Sequence, residues 1–172
     1  MIDVQRLVLA MREVMYDAKG WGLAAPQIGV PVRVFIVHVP EESQIPLVFV
    51  NPSIKALSTE LVELNEGCLS FRGIREPITR PATVTIQRYN EYGNLDCYEF
   101  GQWTGRAIQH EMEHLDGELL IDQLAPASRR MLDRLLRRKG TKRAAAIDQK
   151  AGAMIPAATS EPRMAPHLKG NP

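Results

Sequence analysis

The chain has 172 residues, 45% apolar and 24% charged, with a formal net charge of +1. That balance fits one water-soluble domain with a hydrophobic core and is too short to suggest two. It carries no overall basic excess to mark a DNA-binding protein, and no apolar run reaches the roughly 20 residues that span a bilayer, so neither DNA nor a membrane is expected as a partner.

Asp3, Arg6, Arg12 and Glu13 interrupt the apolar positions of the N-terminal stretch, which therefore does not read as a secretory signal. The two cysteines, Cys68 and Cys97, are expected as a metal ligand or free thiols rather than a bridge, and the cytoplasm is the expected compartment.

In chain order, Val4, Leu7, Val8, Met11, Val14 and Met15 recur at helical spacing behind Asp3, a residue type suited to an N-cap. Gly20 ends that pattern, and a loop containing Gly22, Pro26 and Gly29 follows. Val32 to Val39 is a nearly continuous apolar run, rich in β-branched residues, which predicts a strand buried on both faces. Leu47 to Val50 predicts a second strand stopped by Asn51-Pro52, and Glu60 to Leu64 a third. Ala82–Tyr89 and Leu95–Phe100 flank Asn90-Glu91-Tyr92-Gly93-Asn94 and predict a hairpin. After Gly101 the period lengthens, and Trp103, Ala107, Ile108, Met112 and Leu115 predict a helix to about His114, with Gly117 beyond its end. A helix, several strands and a second helix predict an α+β fold, a mostly antiparallel sheet around a central helix.

From Ser128 the composition changes. Residues 128–143 hold eight basic side chains (Arg129, Arg130, Arg134, Arg137, Arg138, Lys139, Lys142, Arg143) against one acid, Asp133, with Leu132, Leu135 and Leu136 at helical spacing. This predicts three parts: a catalytic body over residues 1–127, a basic amphipathic helix over 128–143, and a flexible Ala-, Pro- and Gly-rich tail over 144–172.

The chemistry concentrates in His110-Glu111-Met112-Glu113-His114. Residues four apart lie on one helix face, so both imidazoles can reach one ion while Glu111 reaches a water beside it. A catalytic site of this kind takes three protein ligands and leaves a position for water. The third ligand is open on these grounds. Asp116, Glu118 and Asp122 lie just downstream, whereas Cys68 sits in a Glu66-Gly67-Cys68-Leu69-Ser70 segment where glycine permits close backbone approach.

A third stretch bears on that choice. Gly20-Trp21-Gly22-Leu23-Ala24-Ala25-Pro26-Gln27, then Glu66-Gly67-Cys68-Leu69-Ser70, then Gln109-His110-Glu111-Met112-Glu113-His114 resemble, in order and spacing, the three signature motifs of the peptide deformylases. The resemblance runs from the first helix to Asp122. It implies one divalent metal ion, with Fe(II) expected and Zn(II), Ni(II) or Co(II) as alternatives, held by Cys68, His110 and His114. Glu111 is then the general base and acid, and Gln27 with the backbone N–H of Leu69 stabilises the developing oxyanion.

The implied substrate is the N-formylmethionyl end of a nascent polypeptide, hydrolysed to formate and a free N-terminus. By the same resemblance, Gly22 and Gly67 hold the peptide backbone, Leu64, Trp103, Ala107 and the His110 ring line the methionine pocket, and Arg106, which falls among them, turns its charge to solvent. Glu113 stands where the family more often has Asp. The Asp-Pro-x-Leu-Arg stretch that family members usually carry before the first helix is not present, so Met11 and Val14 are expected to lack part of their cover.

Alternative readings are a small metalloprotease that uses the same helix with a downstream carboxylate, and a non-catalytic homologue that binds peptide ends. The basic stretch adds a possible partner, ribosomal RNA near the nascent-chain exit.

Overall fold

A computed structural model of the protein describes residues 3–124 except 72, together with 126, 129, 130 and 134. Helix α1 (Val4–Asp17) starts where Asp3 accepts a hydrogen bond from the Arg6 amide at 3.2 Å. Its apolar stripe, Leu7, Val8, Met11, Val14 and Met15, is buried.

Seven strands follow: β1 (Gly22–Ala24), β2 (Val34–Val37), β3 (Leu47–Leu57), β4 (Leu61–Gly67), β5 (Arg75–Pro81), β6 (Val84–Tyr89) and β7 (Leu95–Phe100). They form a five-stranded sheet in the order β1-β2-β3-β6-β7 and a separate β4-β5 ribbon, every pairing antiparallel. Helix α2 (Gln102–Asp116) ends at Gly117, whose φ of 81° is the left-handed conformation that glycine adopts without penalty. The fold is therefore α+β with an antiparallel sheet, as the sequence predicts.

The sheet separates two cores. Val34, Ile36 and Val48 pack with Leu7, Met11 and Met15 of α1. Phe35, Val37 and Phe49, one residue out of phase, pack with Ile108 and Met112 of α2. This accounts for the unbroken Val-Phe-Ile-Val of β2, since a helix covers each face and every position is buried. Phe35 and Phe49 stack at a centroid separation of 4.5 Å.

Several expectations need correction. The Asn51-Pro52 pair does not stop β3. The strand continues to Leu57, with register shifts against β6 and Asn51 at φ 47°. A bulge of this kind tolerates the missing proline N–H. The glycine loop contains β1, three residues that pair with β2. β5 was not foreseen, because Pro77 and Pro81 break up its pattern, yet it pairs with β4 along its length. Met11 and Val14 do not lack cover, being 0% and 5% exposed. The predicted helix over 128–143 and the tail over 144–172 lie outside the described residues, except for Arg129, Arg130 and Arg134. Among the described residues, no helix is long and apolar enough to cross a membrane.

The seat of α2 against β7 depends on Gly105. A Cβ there would lie 2.5 Å from the Phe100 carbonyl oxygen. Gly105→Ala is expected to destabilise the protein by about 1–3 kcal/mol, despite alanine's better helix propensity. Chemical denaturation will read the loss, and a variant as stable as the wild type would show that α2 is not seated this closely.

Candidate metal centre

Two separate elements bring together the metal-ligand candidates singled out in sequence. Cys68 follows the end of β4, and His110 and His114 lie one turn apart on α2. All three are buried, and their ligand atoms lie within 4.8 Å of one another. The Cys68 Sγ is 3.2 Å from His114 Nε2. Of the other candidates for third ligand, Asp116 pairs with Arg33 at 2.7 Å and Asp122 with Arg129 at 2.8 Å, and Glu118 does not fall in the converging group. A soft thiolate with two imidazoles suits a borderline first-row divalent ion.

Glu66, which sequence reasoning did not single out, orients one of these ligands. Its Oε2 lies 3.1 Å from His110 Nδ1, leaving Nε2 to face Cys68 and His114. Arg80 donates from Nε to Glu66 Oε1 at 2.6 Å and from Nη2 to Oε2 at 2.9 Å, and it also holds Glu113. Arg106 is only 5% exposed and does not turn to solvent. It donates to Glu66 at 2.7 Å, to the Ile78 carbonyl at 2.9 Å and to the Val62 carbonyl. Burial raises the Glu66 pKa, but hydrogen bonds from His110 and Arg80 outweigh it and hold the carboxyl at about 2. The signal for Glu66 was available, because it opens the motif that contains Cys68.

Glu111 faces the opposite way. Its Oε2 is buried without a hydrogen-bond partner, and burial pushes its pKa up to about 7 against the pull of His110 and Arg80. Gly22 makes room for it: a Cβ at that position would lie 2.9 Å from the Glu111 Cδ. Gln27 is clamped by the Ala24 amide, which donates to its Oε1 at 2.8 Å. Its Nε2 is thereby directed at Ser70 Oγ, 3.1 Å away, and at Cys68 Sγ, 3.7 Å away. Leu69 begins the short 3-10 turn directly after Cys68.

A cleft of about 770 Å³ opens onto these groups, lined by Gly22, Gly67, Leu69, Trp103, Ala107 and Glu111 among others. Trp21 and Trp103 meet edge to face at its mouth, centroids 5.5 Å apart. Leu64 is not part of this lining. It borders a neighbouring hollow with Val62, Pro81 and Arg106.

Three converging ligand atoms, a buried carboxyl beside them and an amide donor aimed at the same point define the site of a metal-dependent hydrolase. Known proteins narrow that class. The family model for polypeptide deformylase matches residues 2–130. The chain is 39% identical to a peptide deformylase of Cellvibrio japonicus over 137 residues, covering 80% of this chain and 81% of the relative. It is 44% identical to one of Stenotrophomonas maltophilia over 132 residues, 77% of each chain.

Among solved structures it is similar to a peptide deformylase from Legionella pneumophila, with a TM-score of 0.75 and 35% identity over 83% of both chains. It is also similar to that of Ehrlichia chaffeensis in complex with actinonin, with a TM-score of 0.75 and 35% identity over 78% of this chain and 82% of the other. The chain belongs to the polypeptide deformylase family.

The depressed pKa of Glu66 makes a stability prediction. Its contribution is fully present above the unfolded value of 4.5 and is lost as pH falls from there to about 2. Glu66→Gln should be destabilised at neutral pH by about 3 kcal/mol, and the gap to the wild type should close across that acid window. Urea unfolding at a series of pH values measures it, and a gap independent of pH would contradict the assignment.

Proposed function

We propose that this chain removes the formyl group from the N-formylmethionyl end of nascent polypeptides, with α2 as the metal-binding helix. The observation that carries the reading is the buried convergence of Cys68, His110 and His114 with the unpartnered carboxyl oxygen of Glu111 beside them. The donor set fits a divalent ion, which when bound polarises the formyl carbonyl and lowers the pKa of a water.

The chain's own residues supply the rest. Glu111, with a pKa raised toward neutrality, takes the proton of the attacking water at its carboxylate. Oxygen adds to the formyl carbon, and the developing oxyanion accepts hydrogen bonds from Gln27 Nε2 and the Leu69 N–H. The C–N bond then breaks as Glu111 returns its proton to the departing nitrogen, releasing formate and a free amine.

The backbone at Gly22 and Gly67 holds the extended peptide. Trp103 and Ala107 flank the methionine side chain. Leu64, which borders the neighbouring hollow that Arg106 also lines, is assigned to the same methionine pocket. The body is residues 1–127, and the basic stretch from Arg129 to Arg143 is assigned a contact with ribosomal phosphates, on the strength of its eight cations.

Two outcomes test the catalytic assignments. Glu111→Gln should retain metal and lose activity by the upper part of the 100- to 10000-fold range of general acid–base groups, roughly. Cys68→Ala should lose metal. Formate release from formyl-Met-Ala together with metal analysis reads both, and a Glu111→Gln variant keeping a tenth of wild-type turnover would remove Glu111 from the mechanism.

Affinity order alone does not select among first-row metals, and we assign Fe(II) as the working ion because the resemblance of the three motifs to the deformylases implies it. Activity of the iron enzyme should decay in air as iron and thiolate oxidise, and should persist after exchange to nickel or cobalt. An air-purified zinc-only preparation of equal activity would contradict the iron assignment.

A further inference from the structure

Helix α2 carries the histidine ligands, yet its first turn has no cap of its own. Gly101, at the N-cap, offers no side chain, and Gln102 enters the helix at a φ of 51°, in the left-handed region that side chains rarely adopt. The first N–H groups of a helix lack intrahelical partners, so this turn is the part most prone to fray. Glu42, on the loop over residues 38–46, supplies what is missing. Its Oε1 accepts from the Trp103 N–H and its Oε2 from the Thr104 N–H, each at 2.9 Å. The negative charge also suits the positive end of the helix dipole.

The same loop also holds Trp21. The His38 N–H donates to the Trp21 carbonyl at 2.7 Å, and the N–H groups of Glu42 and Ser43 both turn back to the Val39 carbonyl, at 2.9 and 3.0 Å. The His38 ring is pinned in turn, with Nδ1 at 2.9 Å from the Tyr16 hydroxyl and Nε2 at 3.2 Å from the Ser43 carbonyl oxygen. One tight turn therefore grips the backbone of Trp21 through His38 and that of Trp103 through Glu42. These are the only two tryptophans of the chain, and they meet edge to face in the cleft lining. His110 lies roughly two turns further along α2 and is secured separately by Glu66.

We infer that Glu42 is a positioning residue: by capping α2 from a distant loop it holds Trp103 against Trp21, and through Trp103 it governs how strictly the enzyme selects the first residue of its substrate. The inference rests on the deformylase reading and deepens it. Glu42 is exposed and lines no part of the cleft, so it acts only through the helix turn it caps. Because the ligands are held by other contacts, losing the cap should register in KM and selectivity, with kcat and metal content kept. A typical capping interaction converts to about a three- to tenfold factor, which is the expected rise in KM.

The test compares wild type, Glu42→Ala, Glu42→Gln and, as a control for charge alone, Glu41→Ala. Each is measured on formyl-Met-Ala-Ser and formyl-Ala-Ala-Ser, with metal analysis and near-ultraviolet circular dichroism, in which the two tryptophans are read directly. Glu42→Ala should raise KM for the methionyl peptide, narrow the preference for it over the alanyl peptide by a similar factor, and alter the tryptophan bands. Glu42→Gln keeps one acceptor oxygen and the length of the side chain, so it should fall between wild type and Glu42→Ala, and it carries the test if the alanine variant does not fold. Glu41→Ala should match wild type. A wild-type preference ratio in Glu42→Ala or, failing that variant, in Glu42→Gln would overturn the inference. So would equal losses on both peptides accompanied by loss of metal, which mark a purely structural cap, or the same selectivity change in Glu41→Ala. Each of these leaves the deformylase reading intact, whereas failure of the wild type to hydrolyse any formyl peptide would overturn that reading and the selection role with it.

Discussion

The Glu66 carboxylate is the point on which the site depends. It joins the β4-β5 ribbon to α2 through Arg80, Arg106 and His110, and each of these contacts is buried. A lone carboxylate at this depth would be prohibitively unstable, and so would either guanidinium. The charges persist because they neutralise one another. Glu66 and Glu113 face Arg80, and Arg106 adds to Glu66 while satisfying two backbone carbonyls. One consequence is geometric: the ribbon that carries Cys68 at its end cannot slide along α2 without breaking several charge-assisted bonds together. Cys68 and the two histidines, on different elements, are thereby held at the spacing one ion requires.

The second constraint is the double burial of β2. Because α1 covers one face and α2 the other, the sheet fixes α2 relative to β1, the strand that carries Gly22. Glu111 occupies the space that a side chain at Gly22 would fill. The same chain segment runs on through Ala24, whose amide aims Gln27. One short strand therefore sets both the room for the base and the direction of the amide donor, while its Leu23 and Ala24 are buried in the two cores.

Much of this was legible in the sequence, unevenly and for physical reasons. The helices were legible because their apolar positions repeat at 3.6 residues and their ends carry Asp3 and Gly117. β2 was legible as a strand covered on both faces, and the β6-β7 hairpin by its turn residues. β1 and β5 were not, one too short to show a period and the other interrupted by Pro77 and Pro81. The convergence of Cys68, His110 and His114 was expected from the three motifs together, whereas the helix alone left Asp116, Glu118 and Asp122 open. Arg106 was misread because an arginine on a helix is ordinarily solvated. Its burial depends on Glu66 and on carbonyls of β4 and β5, partners that only tertiary structure supplies. The same blindness hid Glu66 itself, a residue inside a recognised motif whose role lies in what packs behind it.

The site reconciles two requirements that pull apart. A base acting near neutrality needs a carboxyl deprived of water and of strong partners, which raises its pKa. A metal ligand needs a partner that fixes its tautomer and increases its basicity. Both groups sit on one helix turn, at positions 110 and 111, and the fold supplies them with opposite surroundings. His110 faces the charged ribbon and receives Glu66. Glu111 faces Gly22 and receives nothing at Oε2. Helical geometry makes this possible, since adjacent residues point about 100° apart and can address different walls of one cleft. The division would collapse if Arg80 reached Glu111 as it reaches Glu113. Its two carboxylate partners hold it away, so the ion pairs that secure the ligand also preserve the isolation of the base.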